Sequence, residues 1–547
     1  MSAPAGAPGQ PLTPTPTVTP TVTPPVISHS GSHPLGPRPR ASRGRRSGRR
    51  VRTVSGPTDH VVVVGAGLAG LSTALRLAGA GRSVTVLERA GVPGGRAGLL
   101  VDGGYRFDTG PTVLTMPELI ADALDCVGES LEDWLDLEPV RPLYRTFFHD
   151  GSTLDVHADP AEMAAEIETV CGPAEAAGYR RFVEFVSAMY RVEMRTFIDR
   201  NLDSPLDFAG TDLARLVALG GLRRLAPKVQ QYLKDPRTQR VFSFQAMYAG
   251  LSPYDALAIY SVIAYMDSVA GVWFPKGGMH AVPRALAGAA AKHGVAFRYD
   301  TEVTRVELAG SRAVAVHTAD GERIACDAVV LSPDLPVARR DLLGHPLRRR
   351  LDFSPSCVTM NVGSTRSYSQ IGHHNIHFGR EWRGVFDDLV HAKRLMRDPA
   401  YMVTNSSASD PSLAPPDRQS YWILFPAPNL DGPIDWKQAA GPYRDEMIAT
   451  LERDGYVGFG DGIEVEHLTT PLDWQARGME RGAPFAASHS FAQTGPFRPS
   501  NLWGDNVVFA GSGTQPGVGV PMVLISGRLA AERITGPDPA YRSRAWR

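Results

Sequence analysis

Four valines in a row, Val61 to Val64, follow His60 and stop at Gly65. So short and uniformly apolar a run is the pattern of a strand buried on both faces. The period then becomes helical, with Leu71, Leu75 and Leu77 recurring at helical intervals from Leu68. A second apolar run, Val84 to Leu87, ends at Glu88. From Met116 to about Gly271 the pattern reads as helical: Phe182, Phe185, Val186 and Met189 share one helical face, and Pro173, Pro205, Gly210, Gly220, Pro227, Pro236 and Pro253 punctuate the stretch. Pro275 to Leu286 opens another helix. Alternation at Val303, Val306 and Leu308, with a turn at Asp320 and Gly321, then predicts a small antiparallel meander returning at Ala328 to a parallel sheet. Near the C-terminus come a strand over Val507 to Ala510, a glycine-rich turn and a helix from about Val520.

A chain of 547 residues exceeds what one core serves and predicts two or more domains. Formal charge is zero overall, but no acid and no lysine precede Thr58, while eight arginines lie between Arg38 and Arg52. Everything after that segment therefore carries about −8. Residues 1–57 are dominated by Pro, Thr, Ser, Gly and Arg, a composition that cannot offset ordering entropy, and are expected to be a disordered tail. Its arginines suit anionic lipid headgroups chemically, but a solvated tail is the expectation, and no nucleic-acid partner is expected. The pairs Arg45, Arg46 and Arg49, Arg50 resemble an export signal, yet the apolar run that follows is the first strand of the fold.

The strand, turn and helix at His60 to Gly79 carry Gly65, Gly67 and Gly70 in GxGxxG spacing. Gly65 permits the turn, Gly67 lets a pyrophosphate approach the backbone, and Gly70 lets helix and sheet pack closely. The helix start, through Ala66, Leu68 and Ala69, offers free N–H groups and a positive dipole end to phosphates. Glu88 stands where such a unit needs an acid for a ribose hydroxyl, which argues against a 2′-phosphate there. These residues leave FAD and NAD both open.

Past Glu88 and Arg89 come Gly94, Gly95 and Arg96, then Phe107, Asp108, Thr109, Gly110, Pro111 and Thr112. Arg96 is placed to reach a pyrophosphate. The combination resembles the two-dinucleotide-binding-domain flavoproteins, and that resemblance implies FAD. Three further stretches are similar to the bacterial phytoene desaturases: GHHNIHF at Gly372 to Phe378, the run from Ser409 to Leu430, and Gly482 to Asn501. The closing GDNVVFAGSGTQPGVGVPMVLISGRLAA, Gly504 to Ala531, resembles that family's final FAD motif. Where relatives usually carry GTHPG, this chain has Thr514, Gln515, Pro516 and Gly517 after Gly513, a departure at Gln515.

The resemblance covers essentially everything after His60. It implies an α/β architecture: a Rossmann-like, amine-oxidase-like FAD-binding domain with an inserted mixed α+β substrate domain and a helical cap. The expected division is FAD-binding residues 58–115, 272–335 and 492–536, cap and substrate residues 116–271 and 336–491, and a flexible end at 537–547. It further implies that Val303 supplies backbone contacts to the adenine. Gly511 and Gly513 belong to the closing turn, and Pro111, Thr112, Gly519, Val520, Pro521 and Met522 are expected to face the isoalloxazine. The helix N-terminus at Gly519 would stabilise negative charge on a reduced ring.

The activity implied is FAD-dependent desaturation of an acyclic carotenoid precursor, phytoene toward lycopene-type products, by hydride transfer and proton loss. A substrate without a polar handle is held by apolar area and shape. Phe242, Phe244, Met247, Tyr248, Tyr254, Tyr260 and Tyr265 are available for a tunnel, although ordinary core is their default role. No GxSxG, HExxH or paired carboxylates appear, and no catalytic base is assigned. Carotenoid isomerases, ketolases and later-step desaturases share these motifs; an amine oxidase would need a polar pocket and a different closing signature. A non-catalytic prenyl-lipid escort protein predicts a degenerate nucleotide site, whereas Gly65, Gly67, Gly70 and Glu88 are intact.

His373, His374 and His377 invite a metal reading, but Ile376 and Phe378 place them on a strand, and no metal is expected. Cys126, Cys171, Cys326 and Cys357 are scattered, as suits a reducing cytoplasm. With no second GxGxxG for a nicotinamide, oxygen or a quinone is the expected electron acceptor. A water-insoluble substrate calls for peripheral contact with the cytoplasmic membrane, without a spanning segment.

Overall fold

The computed structural model describes residues 51–546. The tail expected over 1–57 falls almost wholly outside them. The valine run forms strand β1 (His60–Val64), followed by helix α1 (Leu68–Gly79) and strand β2 (Ser83–Leu87). β3 (Ala296–Arg298), β4 (Ala328–Leu331), β5 (Leu502–Trp503) and β6 (Val507–Phe509) complete one sheet in the order β5-β6-β4-β1-β2-β3. All its neighbours are parallel except β5 and β6. Val61, Val62 and Val63 are fully buried, as a strand covered on both faces requires. The connection from β1 runs to β2 on one side, while β4 lies on the other. That is the topological switch point at which open α/β sheets bind ligands beyond their strands' carboxyl ends.

The meander Val303–Ala309, Arg312–Thr318 and Arg323–Ala325 is a separate antiparallel sheet, as its alternation predicted. A third sheet of seven strands runs Ile463–Thr469, Ser356–Ser364, Gln419–Ala427, Tyr401–Asn405, His374–Phe378, Tyr144–Phe148 and Thr153–Val156. Helix α2 (Pro173–Glu193) buries Phe182, Phe185, Val186 and Met189 in the largest hydrophobic cluster. Phe242, Phe244 and Tyr260 are buried in the same cluster, and Met247, Tyr248, Tyr254 and Tyr265 pack partly buried against it.

Two expectations are corrected. Residues 116–271 are not helical throughout: Tyr144–Phe148 and Thr153–Val156 form a hairpin at the edge of the seven-stranded sheet. Its signals are Tyr144, Thr146 and Phe148 buried in alternation and the Asp150-Gly151 turn, with Gly151 at φ +81°. Of the end expected to be flexible at 537–547, the described residues 537–546 are held in place. Ser543 Oγ donates to Asp122 at 2.6 Å, Tyr190 Oη donates to the Ala545 carbonyl at 2.6 Å, and Arg544 pairs with Asp125 at 2.7 Å. A buried carboxylate and an apolar seat for Ala545 outweigh the segment's polar composition.

Helix α3 (Val520–Thr535) packs on α1, with Ser72 Oγ donating to the Leu524 carbonyl at 2.9 Å and Thr73 Oγ1 to the Gly527 carbonyl at 3.1 Å. The two ends of the described chain thus meet at one face of the parallel sheet. No described helix is long and apolar enough to cross a membrane.

Candidate functional site

The glycines sort into two groups by what a methyl group would meet. At Gly70 it would meet the Gly65 carbonyl oxygen at 2.1 Å, at Gly110 the Arg96 carbonyl oxygen at 1.9 Å, and at Gly513 Leu335 Cβ at 2.5 Å. Protein packing alone requires those three. At Gly67 the nearest atoms are Ser332 Oγ at 3.9 Å and Gly95 Cα at 4.0 Å, and at Gly511 they are Ser332 O at 3.7 Å and Ala69 Cβ at 3.9 Å. Gly65 meets nothing nearer than 3.4 Å, and Gly519 nothing nearer than 3.9 Å. Gly65, Gly67 and Gly511 adjoin Ser332 with backbone open to a ligand, and Gly519 is open at the start of α3.

The helix ends suit an anion. α1 starts at Gly67 and α3 at Gly519 with no side-chain cap and no acid in either first turn. Their leading N–H groups and positive dipole ends are left for phosphate or a reduced ring. Glu88, buried after β2, accepts from Ala66 N at 2.7 Å and from Ala90 N at 3.0 Å, which fixes its carboxylate beside the glycine turn. Thr301 N donates to the Glu88 carbonyl at 2.9 Å and brings Val303 into the same neighbourhood. Gly94 N bonds the Ala66 carbonyl at 2.9 Å, so the loop carrying Gly95 folds back over Gly67. Arg96 Nη1 donates to Ser512 Oγ at 2.6 Å and its Nη2 lies 3.9 Å from Asp334. Arg89 is exposed and donates to the Arg477 carbonyl instead, away from the glycines.

Thr112 is buried, 3.3 Å from Thr404 Oγ1, which lies 2.9 Å from His374 Nδ1. His373 Nδ1 lies 2.6 Å from Ser409 Oγ. Burial pushes both imidazoles toward the neutral form, His373 down to about 3. His377 is stacked between Phe147 and Tyr401, at 4.6 and 4.5 Å between ring centroids. The three histidines lie on or beside the strand His374–Phe378, and no metal-holding cluster occurs among the described residues. Pro521 is buried and Met522 partly buried in the first turn of α3. Gln515, the departure from GTHPG, accepts from Leu202 N at 3.1 Å and donates to the Gly495 carbonyl at 2.9 Å, tying the closing turn to its surroundings.

Several residues carry weight that local pattern does not reveal. Asp108 is buried and accepts from Met279 N at 2.9 Å and His280 N at 3.0 Å; burial raises its carboxyl to about 6. Asp267, in the helix Ser261–Ser268, is likewise raised to about 6 by burial, and it accepts from Tyr144 Oη and from Gln245 Nε2 at 3.2 Å. The only signal for either is an acid inside an otherwise apolar stretch. Tyr144 lies 5.6 Å from His374 and 6.1 Å from Phe244, and Phe244 lies 6.1 Å from Phe378, so an aromatic wall runs between helical cap and sheet.

Residues 68–535 match the profile of the flavin-containing amine oxidoreductases. A phytoene dehydrogenase of Streptomyces griseus is 55% identical over 90% of this chain and 98% of its own length. A zeta-carotene-forming phytoene desaturase of Myxococcus xanthus is 37% identical over 87% of this chain and 93% of its own. Among solved structures, a cyclohexylamine oxidase of Brevibacterium oxydans superposes with TM-score 0.55 at 15% identity, covering 88% of this chain and 99% of that one. Open glycines, uncapped helix ends and a buried acid at the ribose position fit FAD, the cofactor of this fold.

Proposed function

This chain belongs to the flavin-containing amine oxidoreductases and, within them, to the phytoene dehydrogenases; on that premise we propose that it desaturates phytoene, an acyclic carotenoid precursor, toward lycopene-type products. The single observation that carries the reading is the aromatic wall between cap and sheet, Tyr144, Phe244 and Phe378, adjoining Thr112 through Thr404 and His374. A polyene offers no charge or hydrogen bond, so apolar area and shape must hold it.

Bound FAD supplies the two-electron acceptor for an allylic hydride. The protein does the rest. Glu88 would hold the ribose, Gly67, Gly511 and the two helix ends would receive the diphosphate and ring, Pro111, Thr112, Val520, Pro521 and Met522 would border the reacting face, and Val303 would back the adenine, while Arg96 steadies the closing turn. Burial of this wall would exclude water from the hydrocarbon at the reacting face.

Substrate reaches the site from lipid. Of the eight large apolar residues exposed among those described, five lie on two neighbouring segments: Leu206, Val217 and Leu222, and Phe491 and Phe497. Phe208 packs on Phe197 at 4.7 Å, and a methyl group at Gly495 would meet Phe208 at 2.6 Å, which links the two segments. Arg191, Arg215, Arg223 and Arg224 are exposed in the sequence flanking the first of them, Arg215 paired with Asp212 at 2.8 Å. Apolar side chains rimmed by arginine suit the surface of an anionic bilayer, from the cytoplasmic side. Oxygen or a membrane quinone is the reoxidant in this reading.

Expression in a phytoene-accumulating host tests the assignment. Loss of phytoene with coloured products lighter by pairs of hydrogens supports it; untouched phytoene beside FAD-loaded protein refutes the substrate.

A further inference from the structure

Arg498 sits 4% exposed next to the closing glycine turn. Its Nε donates to the Thr514 carbonyl at 3.1 Å, Nη2 to the Ser512 carbonyl at 2.7 Å and Nη1 to the Gln493 carbonyl at 3.2 Å. All three acceptors are neutral. The nearby acid, Asp334, lies 3.9 Å from Arg96 and accepts from the backbone of Leu335 and Glu480. Among the described residues Arg498 thus has no carboxylate within ion-pair distance, and its charge is met by carbonyl oxygens alone. Burial lowers Arg498 to about 10, which leaves it protonated at neutral pH.

Ser512 is the joint between the two arginines: its hydroxyl accepts from Arg96 and its carbonyl from Arg498. The preceding residue, Gly511, is open to the cleft: a methyl group there would lie 3.9 Å from Ala69 Cβ in the first turn of α1. The charge on Arg498 is thus separated from the cofactor cleft by one turn of backbone, in surroundings that screen it poorly. Reduction of a flavin adds negative charge to its ring, so a fixed positive charge behind that turn favours the reduced form.

We propose that Arg498 acts by its field, raising the reduction potential of the flavin bound in front of the closing turn and so easing hydride removal from an unactivated hydrocarbon. The inference rests on FAD occupying this cleft. Two rival roles are available to the same side chain, a carbonyl clamp that only shapes the turn and a counter-charge to the diphosphate.

The test compares holoproteins of the parent, R498K, R498Q and R498M. FAD content, melting temperature and flavin midpoint potential, by equilibration with reference dyes, are measured on each. R498Q and R498M are expected to retain FAD while their reduced-to-oxidised ratio, at the parent's midpoint, falls about tenfold, the effect of one unit charge a helix diameter away. R498K, which keeps the charge, stays within about twofold and guards against a loss of folding in the neutral variants. Neutral variants that retain FAD with the parent's midpoint overturn the proposal and leave a carbonyl clamp; neutral variants that lose FAD while R498K keeps it overturn it in favour of a counter-charge to the diphosphate. A parent protein that binds no FAD refutes the cofactor reading itself, separately from the role of Arg498.

Discussion

Arg96 Nη1 and Ser512 Oγ meet at 2.6 Å across 416 residues of chain. The loop after β2 and the turn before α3 are thereby one wall of the candidate cofactor cleft, and the helices behind them, α1 and α3, share side-chain-to-backbone bonds. Neither half of the chain completes the site alone.

Removing that link is expected to weaken FAD binding without unfolding the protein. Arg96 is 31% exposed at its side chain, and its partners Ser512 and Asp334 keep backbone bonds of their own. For R96A we expect FAD affinity to fall about tenfold, the value of one charge-assisted hydrogen bond, with a melting temperature of the apoprotein near the parent's. Fluorescence titration and thermal melting read the two effects.

Gly67 and Gly70 should part company when each is replaced by alanine. Gly67 has φ −72°, which alanine adopts freely, and open space beyond. G67A is expected to fold normally and to lose most of its FAD, because the methyl group stands where a phosphate must approach. G70A drives its methyl group into the Gly65 carbonyl at 2.1 Å and is expected to cost about 1–3 kcal/mol of stability even without cofactor. Equal behaviour of the two variants contradicts this division.

Asp267 makes stability depend on pH in a stated direction. Burial raises its pKa from 3.8 to about 6, so the folded protein holds a proton that the unfolded chain releases between those values. The fold is thus unpenalised at this site below about pH 4, and stability falls as pH rises through about 6. A shift of that size corresponds to about 3 kcal/mol. D267N, which carries no charge at any pH, is expected to flatten this part of the melting profile of the apoprotein. A profile unchanged from the parent's would place the pH dependence elsewhere.

Charged substitutions on the arginine-rimmed apolar surface separate delivery from chemistry. L206E with F497E is expected to cut sedimentation with anionic vesicles about tenfold or more, since each buried apolar side chain contributes about 1.5–3 kcal/mol to such binding. Turnover of phytoene held in those vesicles should fall in step, while FAD content stays at the parent's level. Full vesicle binding by the double variant would remove this surface from the account.

Much of the candidate cofactor site was legible because its signals are local. The valine run, GxGxxG spacing and Glu88 lie within one βαβ unit, and each glycine's role follows from backbone geometry there. The hairpin Tyr144–Phe148 and Thr153–Val156 was missed for the opposite reason. Its strands are short, and the strand that orders them, His374–Phe378, pairs from more than 200 residues away. Asp267 and Arg498 share that obscurity, since burial and partnership arise only when distant segments pack. The end at 537–547 shows the same limit: its polar composition reads as loose chain, but the seat is made by Asp122, Asp125 and Tyr190.

The most direct test is a single turnover without oxygen. FAD-loaded protein is mixed anaerobically with phytoene in anionic vesicles, flavin absorbance is followed, and the lipid extract is weighed by mass spectrometry. Bleaching of the flavin, matched mole for mole by product two hydrogens lighter than phytoene, is the predicted result. FAD that stays oxidised beside unchanged phytoene, in protein shown to bind the vesicles, would contradict the account.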